Sequence, residues 1–467
     1  MNISHRLSQY IIETNYEDLD AVTIEATRKS LLDALGVTLA ASGLCDACRP
    51  FVNLAVGMGG HAQSSIIGFR TKVPMAMAAF ANGAMAHALD FEDAHDKALV
   101  HPNATSIPAA LAVAESMGEP TGGEITGGPI AGRQFIAALA VSCDLVCRLG
   151  MAFTKNPIEY GWYPPPILSA FGATAAAGKL LGLNSSQLLD AFSLTLCQAT
   201  CSAELRYNPH SDIRAVRDAF AAQAGIQSAL LAQQGVRGFE APFDGKAGLY
   251  QLYADGNYTP EPLITDLGRR FAGADLSFKP WPACRGTHAF IEAALLILKE
   301  HALDPADITR VHATVSALNV MLCEPLAAKQ RPASAIDAKF SLPFVVATAL
   351  MKNRVQLDDF LPSALTDPQL LDLAATMTFE VDHGIDPAEQ TQGALAIYTS
   401  KDRYYKKVKY PLGNPQNPIS QNALVEKFMQ CARQADHVFD EKDLNTLIDR
   451  IWALEEMSDI GLLLSCL

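Results

Sequence analysis

The sequence has no run of about 18 uninterrupted apolar residues, so no membrane-spanning helix is expected. It has no G-x-G-x-x-G after a strand and no G-x-x-x-x-G-K-S/T, which leaves a nucleotide cofactor without motif support. A G-x-S-x-G elbow is also missing. Basic residues are outnumbered, 36 Lys and Arg against 50 Asp and Glu, for a net charge of −14. A nucleic-acid binder would show a basic face, so that class is set aside. A small anionic substrate stays compatible, because a pocket can be locally basic. Only 18% of the residues are charged and 49% are hydrophobic, which excludes global disorder. The ten cysteines are scattered, and the pair Cys45-Asp-Ala-Cys48 has no second pair at zinc spacing. They read as reduced thiols, mostly core, and do not support an aconitase-type iron–sulfur cluster. The N-terminal stretch lacks an apolar h-region with a small-residue cleavage site, so the cytoplasm is the expected compartment.

At roughly 100–200 residues per domain, 467 residues suggest two or three domains. The first 260 or so read as helical. Apolar residues recur at helical spacing over Leu19–Ala41, and Pro74–Leu89, Ile107–Met117, Gln134–Leu149 and Arg217–Gln234 look similar. Their Ala content predicts close helix packing. Pro and Gly punctuate them at 118–128 and at Pro164–Pro166. Beyond this the period changes. Arg310–Ser316 and Thr376–Asp382 alternate as half-buried strands, and Ala394–Val408 reads as two strands around a Ser-Lys-Asp-Arg turn. Thr287–His301 and Ala338–Met351 read as helices between them. The final residues return to helix, with Ser420 as a plausible N-cap. The expected fold is mainly α with an α+β part. A large all-helical domain, 1–265 and 396–467, would be built from both chain ends, with 266–395 as an inserted α+β domain.

Four segments carry candidate chemistry. Ala86–Asn103 gathers His87, Asp90, Glu92, Asp93, His95 and His101. If helical, His87 and Asp90 share a face. The segment reads as a general acid/base loop, as a capping network for a helix starting near Ser106, or as a divalent-metal site. Phe278–His288 crowds Lys279, Arg285 and His288 between prolines, at a predicted domain junction. It is either a binding segment or a linker with solvated cations, and Cys284 within it reads as packing. Arg214 and Arg217 sit on one face near a helix start, which suits a carboxylate clamp but equally an exposed basic stripe. Tyr163, beside a proline run, is a proton donor or simply core.

These segments together resemble the MmgE/PrpD family, whose members include 2-methylcitrate dehydratases, cis-aconitate decarboxylases and iminodisuccinate epimerases. The carriers are Ser30–Gly36, Asn82-Gly83, His87–Asp93, His101-Pro102, Gly172–Leu183, Asp244–Leu249, Phe278-Lys279, Cys284–His288 and Ala338–Pro343. The resemblance implies a helical domain from both chain ends, a smaller α+β lid, a cleft between them, a homodimer and no metal or other cofactor. It places Asp90, His101 and Lys279 in the site. The chain departs from the family pattern at three places. Tyr163 stands where a His is usual, Ile213-Arg214 replaces Thr-Lys, and Ala94 replaces a Thr. Tyr for His moves the reference pKa from about 6.5 to about 10.

The resulting expectation is a cofactor-independent epimerase of a polycarboxylate such as iminodisuccinate. Its alternative is a dehydratase or decarboxylase of a 2-methylcitrate- or cis-aconitate-like acid. Lys279, His101 and Tyr163 would move protons, and Asp90 would tune His101. Arg214, with Arg285, Arg217 and His87, would bind carboxylates. The partner would be a di- to tetracarboxylate, with neither nucleic acid nor membrane involved.

Overall fold

Helical periodicity governs the first part of the chain, and the computed structural model turns it into a stack of Ala-rich helices. It describes residues 2–118, 128–208, 210–386 and 389–467, so most of the Gly-rich stretch at 118–128 lies outside. The chain divides into two units, one of Met1–Leu205, Asp212–Leu276 and Ser420–Leu467, the other of Arg206–Ser211 and Ser277–Ile419. The fold is mainly α with an α+β part.

The first unit is built on α1 (Ala21–Leu44), α2 (Met75–Ala88), α3 (Asn103–Gly118), α4 (Gly132–Met151), α5 (Pro164–Leu180) and α6 (Asp218–Gln233). The prolines expected to interrupt the chain at 164–166 instead open α5. In a helix's first turn the missing N–H breaks no bond. Small side chains let α6 lie close against α2 and α5. A Cβ on Gly225 of α6 would sit 2.5 Å from the Cβ of Ala173 and 2.7 Å from the Thr174 nitrogen, so only glycine fits this crossing. A short hairpin, β1 (Ser64–Ile66) and β2 (Thr71–Val73), packs beside α2 and α3.

Among the described residues, α4 is the one single helix long and apolar enough to cross a membrane. A bent pair, Ala21–Leu44 with Asp46–Gly57, passes that test jointly. Most of α4 is buried inside the unit, and it holds an internal ion pair, Arg148 Nε to Asp144 Oδ2 at 2.6 Å. Asp144 Oδ1 also accepts the Ala272 N–H at 2.7 Å. That contact ties residues just past 266 to the helical unit.

The second unit pairs a four-stranded sheet with helices. The strands are β3 (Ile308–Val315), β4 (Met377–Val381), β5 (Gly393–Thr399) and β6 (Arg403–Val408), in the order β4-β3-β5-β6. β3 and β4 run parallel, with Val311 opposite Met377; the other two pairings are antiparallel. Val311, Ala313 and Val315 point into the core, as their alternation predicts. A limit at 395 would cut β5, which is bonded on both edges; the unit runs on to 419. The helices α7 (His288–His301) and α8 (Leu342–Lys352) pack on each other, and α7 also covers the sheet. The single helix expected over Ala338–Met351 is broken. Ala335–Lys339 ends at Phe340, and Ser341 caps α8 by accepting from the Phe344 N–H. A serine that can cap, followed by Leu and Pro, starts a new helix more readily than it continues an old one.

The chain then returns to the first unit. Ser420 caps α9 (Gln421–Ala432), which lies on α1. Lys427 of α9 reaches Asp33 of α1 at 2.6 Å and donates to the Phe91 carbonyl at 2.7 Å.

Candidate active site

The polar segment after α2 is shaped by two reversals. α2 stops at Ala88, and Asp90 takes φ 48°, with its N–H bonded to the His87 carbonyl at 2.8 Å. A short polar side chain tolerates this left-handed turn better than a branched one. Asp90 is therefore off the helix, and the helical face expected to hold it with His87 does not exist. Next, His95 and Val100 bridge across a tight loop, with Leu99 at φ 55°. This loop carries His101 back beside residues 92 and 93. α3 then starts at Asn103 rather than near Ser106.

The reversals bring His87, Asp90, Glu92 and His101 together, each with one donor atom within 4.8 Å of the others. Glu92 is the centre of the group. Its Oε1 lies 2.5 Å from His87 Nδ1 and 2.9 Å from His101 Nδ1. The His101 Nδ1 also lies 2.9 Å from the Asp93 carbonyl. The sequence reading assigned the tuning of His101 to Asp90, but these contacts come from Glu92 and Asp93. Glu92 stood within the polar cluster, yet no spacing rule singled it out.

Burial, helped by the Arg217 charge, lowers the His87 pKa below the usual imidazole value, against the pull of Glu92 and Asp218. His95 is likewise lowered by burial, and its Nδ1 accepts the Ala98 N–H at 3.0 Å, a structural contact. Two His and two carboxylates are a competent donor set for a divalent cation. A cation binding through Nδ1 would have to displace the proton shared with Glu92 Oε1.

Asp93 is buried against Asp33 and pushed up to about 7, while its bond from Asn103 Nδ2 at 2.5 Å pulls the other way. Its folded value lies above the unfolded one. The stability it contributes is complete below about pH 4 and is lost as pH rises to about 7, a change on the order of 4 kcal/mol. Asp93→Asn should therefore flatten the fall in stability between pH 5 and 8, as read by denaturant melts. An unchanged slope would show that Asp93 titrates normally.

The cationic candidates fall into two groups. Arg214 and Arg217 are both buried, which excludes an exposed basic stripe. Arg217 lies in the turn between Ile213–Val216 and α6 rather than within one continuous helix with Arg214, and its Nη1 donates to the Arg214 carbonyl at 2.5 Å. The Arg217 guanidinium sits 5.0 Å over the Tyr163 ring, and its Nε is 3.7 Å from Asp218. Its Nη2 has no hydrogen-bond partner among the described residues. Tyr163 caps α5 as a buried residue, and its N–H donates to the Cys201 carbonyl at 2.9 Å.

Lys279 and Arg285 lie in the second unit, and both are buried. The segment bearing Lys279 is held by a close approach. The Phe278 N–H donates to the Gly413 carbonyl at 3.0 Å, and a Cβ on Gly413, at φ 90°, would fall 1.8 Å from the Phe278 oxygen. Arg285 donates to the carbonyls of Leu412 at 3.1 Å and Pro411 at 3.3 Å, and to Ser277 Oγ at 3.3 Å. Those bonds brace the same turn and leave Arg285 less suited to a substrate carboxylate than the sequence suggested.

A buried acid/base cluster thus lies beside a buried guanidinium in the helical unit. Residues 5–261 match the MmgE/PrpD N-terminal domain and residues 281–454 the MmgE/PrpD C-terminal domain. The chain belongs to the MmgE/PrpD family. It is 26% identical to a cis-aconitate decarboxylase-like protein of Aspergillus oryzae, over 99% of this chain and 97% of that protein. It is 26% identical to the cis-aconitate decarboxylase of Homo sapiens, over 85% of this chain and 80% of that one. It is 23% identical to the 2-methylcitrate dehydratase of Cupriavidus necator, over 89% and 87%. These relatives are named as lyases, and they lend the epimerase expectation no support.

Proposed function

We propose that this protein is a lyase acting on a tricarboxylate of the cis-aconitate or 2-methylcitrate class, at a carbon next to a carboxylate. The observation that carries the reading is Arg217 Nη2, a buried cationic donor with no hydrogen-bond partner among the described residues, whose guanidinium charge reaches His87. Buried donors left unpaired call for a ligand or water. When CO2 leaves, or when a base removes the neighbouring proton, an electron pair stays on carbon and spreads onto carboxylate oxygens. A fixed guanidinium facing those oxygens stabilises that charge without reorganising. Arg217 also borders a cavity of about 300 Å3 edged by Gln198, Thr200, Gln223 and Gln227, with room for a further carboxylate.

His101 is assigned as proton carrier on the first unit, Lys279 as the second carrier, and Tyr163 as a donor set by its contact with Arg217. Asp90, Arg214 and Arg285 remain proposed as supporting groups, with His87 behind them. The family resemblance adds a homodimer to the proposal, which sedimentation would test. Decarboxylation comes first, because two of the relatives above carry that activity or its likeness in their names.

Proton NMR in deuterium oxide with cis-aconitate, 2-methylcitrate and iminodisuccinate tests the reading. Loss of CO2 from cis-aconitate, or a new alkene from 2-methylcitrate, supports it. Interconversion of iminodisuccinate stereoisomers, with both tricarboxylates untouched, overturns it. Lys279→Met should lower turnover about 100-fold or more with little change in substrate affinity. An unchanged turnover number would remove Lys279 from the proton-carrying role.

A further inference from the structure

The Glu92 geometry fixes something the family likeness leaves open: which imidazole nitrogen is the base. His101 Nδ1 faces the Asp93 carbonyl at 2.9 Å, and a carbonyl oxygen can only accept. That nitrogen therefore carries hydrogen, and in the neutral ring Nε2 holds the lone pair. The same Nδ1 faces Glu92 Oε1 at 2.9 Å, and His87 Nδ1 faces that oxygen at 2.5 Å. Glu92 Oε1 therefore faces both ring nitrogens at once, and in its ionised form the carboxylate is an acceptor for each.

The two rings are close, with centroids 5.2 Å apart, but they are not equivalent. The His87 side chain is 1% exposed, whereas that of His101 is 16% exposed. Arg217 and Asp218 face His87 from the start of α6, and the net effect of its surroundings disfavours a charged ring. Asp90 and Asp93 add carboxyl groups on the loop itself. Of the two rings, His101 is the one that reaches the outside, so proton exchange with substrate falls there, with Glu92 at hand to balance the charge.

We propose that Glu92 is the positioning residue of the site. Through one carboxylate oxygen it locks His101 and His87 with hydrogen on Nδ1, presents His101 Nε2 as the proton acceptor, and supplies its counter-charge. In the dehydration, Nε2 takes the proton from substrate carbon as a new N–H bond, the C–H electron pair forms the alkene as the C–O bond breaks, and the proton leaves with that oxygen as water. In the decarboxylation, Nε2 already protonated from solvent gives its proton to the carbon that keeps the electron pair when CO2 departs. No other reactant is required. The assignment rests on the lyase reading for its purpose, but its test uses no substrate.

Deuterium uptake at histidine C2–H, followed by mass spectrometry across pH, reads the titration of each histidine in the intact protein. In Glu92→Gln, which keeps size and hydrogen bonding but loses charge, His101 should titrate about one unit lower than in the native chain, as expected for loss of an adjacent opposite charge. Glu92→Asp should recover part of the shift. An unchanged His101 midpoint in a folded Glu92→Gln protein overturns the proposal. If that variant does not fold, 15N spectra of the native protein decide: Nδ1–H on His101 supports the assignment, and Nε2–H sinks it. A shift in the Glu92→Gln variant, with the native protein leaving every tricarboxylate untouched, would keep the positioning role and reject the lyase reading.

Discussion

Replacing His101 by asparagine is expected to cut turnover of a tricarboxylate by about two to four orders of magnitude while KM stays within a few-fold. The asparagine amide can still donate to the Asp93 carbonyl, as Nδ1 does at 2.9 Å in the native chain. The Nε2 lone pair has no counterpart in asparagine. The substitution therefore removes proton transfer and spares the loop. His87→Asn should do less to the chemistry, because His87 is sealed from solvent and acts only through Glu92. Steady-state kinetics on both variants checks the contrast. Equal losses at the two positions would mean that the cluster is a structural unit and that His101 has no special part.

The second large effect is on stability. Asp33→Ala should cost about 3–5 kcal/mol, the usual consequence of leaving a buried ammonium without its carboxylate. Asp33 and Lys427 are both buried and meet at 2.6 Å. Lys427 keeps the Phe91 carbonyl and sits 3.8 Å over the Phe91 ring, so part of its environment survives the substitution. Urea titration of native and variant chains gives the difference. A midpoint change worth less than about 1 kcal/mol would class the pair with ordinary surface ion pairs. Phe91 stands between Asp90 and Glu92, so the same variant should also lose activity through the displaced loop.

Much of the architecture is readable in the residues. Helical spacing locates α1 to α4, α6 and α7 to within a few positions, while α5, opened by three prolines, reads in the sequence only as an interruption. Alternation locates β3 and β4, because burial on one face imposes a period that the sequence must carry, and the turn at 400–403 marks β5 and β6. The misses occur where a single local contact outweighs the period. Ser341 caps a new helix inside an apolar run, and Asp90 turns left-handed where the spacing suggested one more helical turn. The site was half legible. The density of acids and histidines marked the right segment, but the turn at 95–100 that folds His101 onto Glu92 leaves no periodic trace. Arg217 reads equally as part of a carboxylate clamp or as one member of a surface stripe, and burial excludes the stripe. The chemistry proper was read less well. Tyr163 and Arg214 pointed toward epimerisation, whereas the relatives are named for bond-breaking reactions.

The return of α9 to α1 also sets an order of events during synthesis. The second unit's long segment, Ser277–Ile419, is synthesised before Ser420–Leu467. The helical unit begins first and closes last. Until Lys427 emerges, the nascent chain holds Asp33 without its cation and the Phe91 carbonyl without its donor. The loop bearing Asp90, Glu92 and His101 thus gains its Lys427 brace only after the second unit's segment has been made, and a chain stalled before α9 would carry the acids and bases of the site without that clasp.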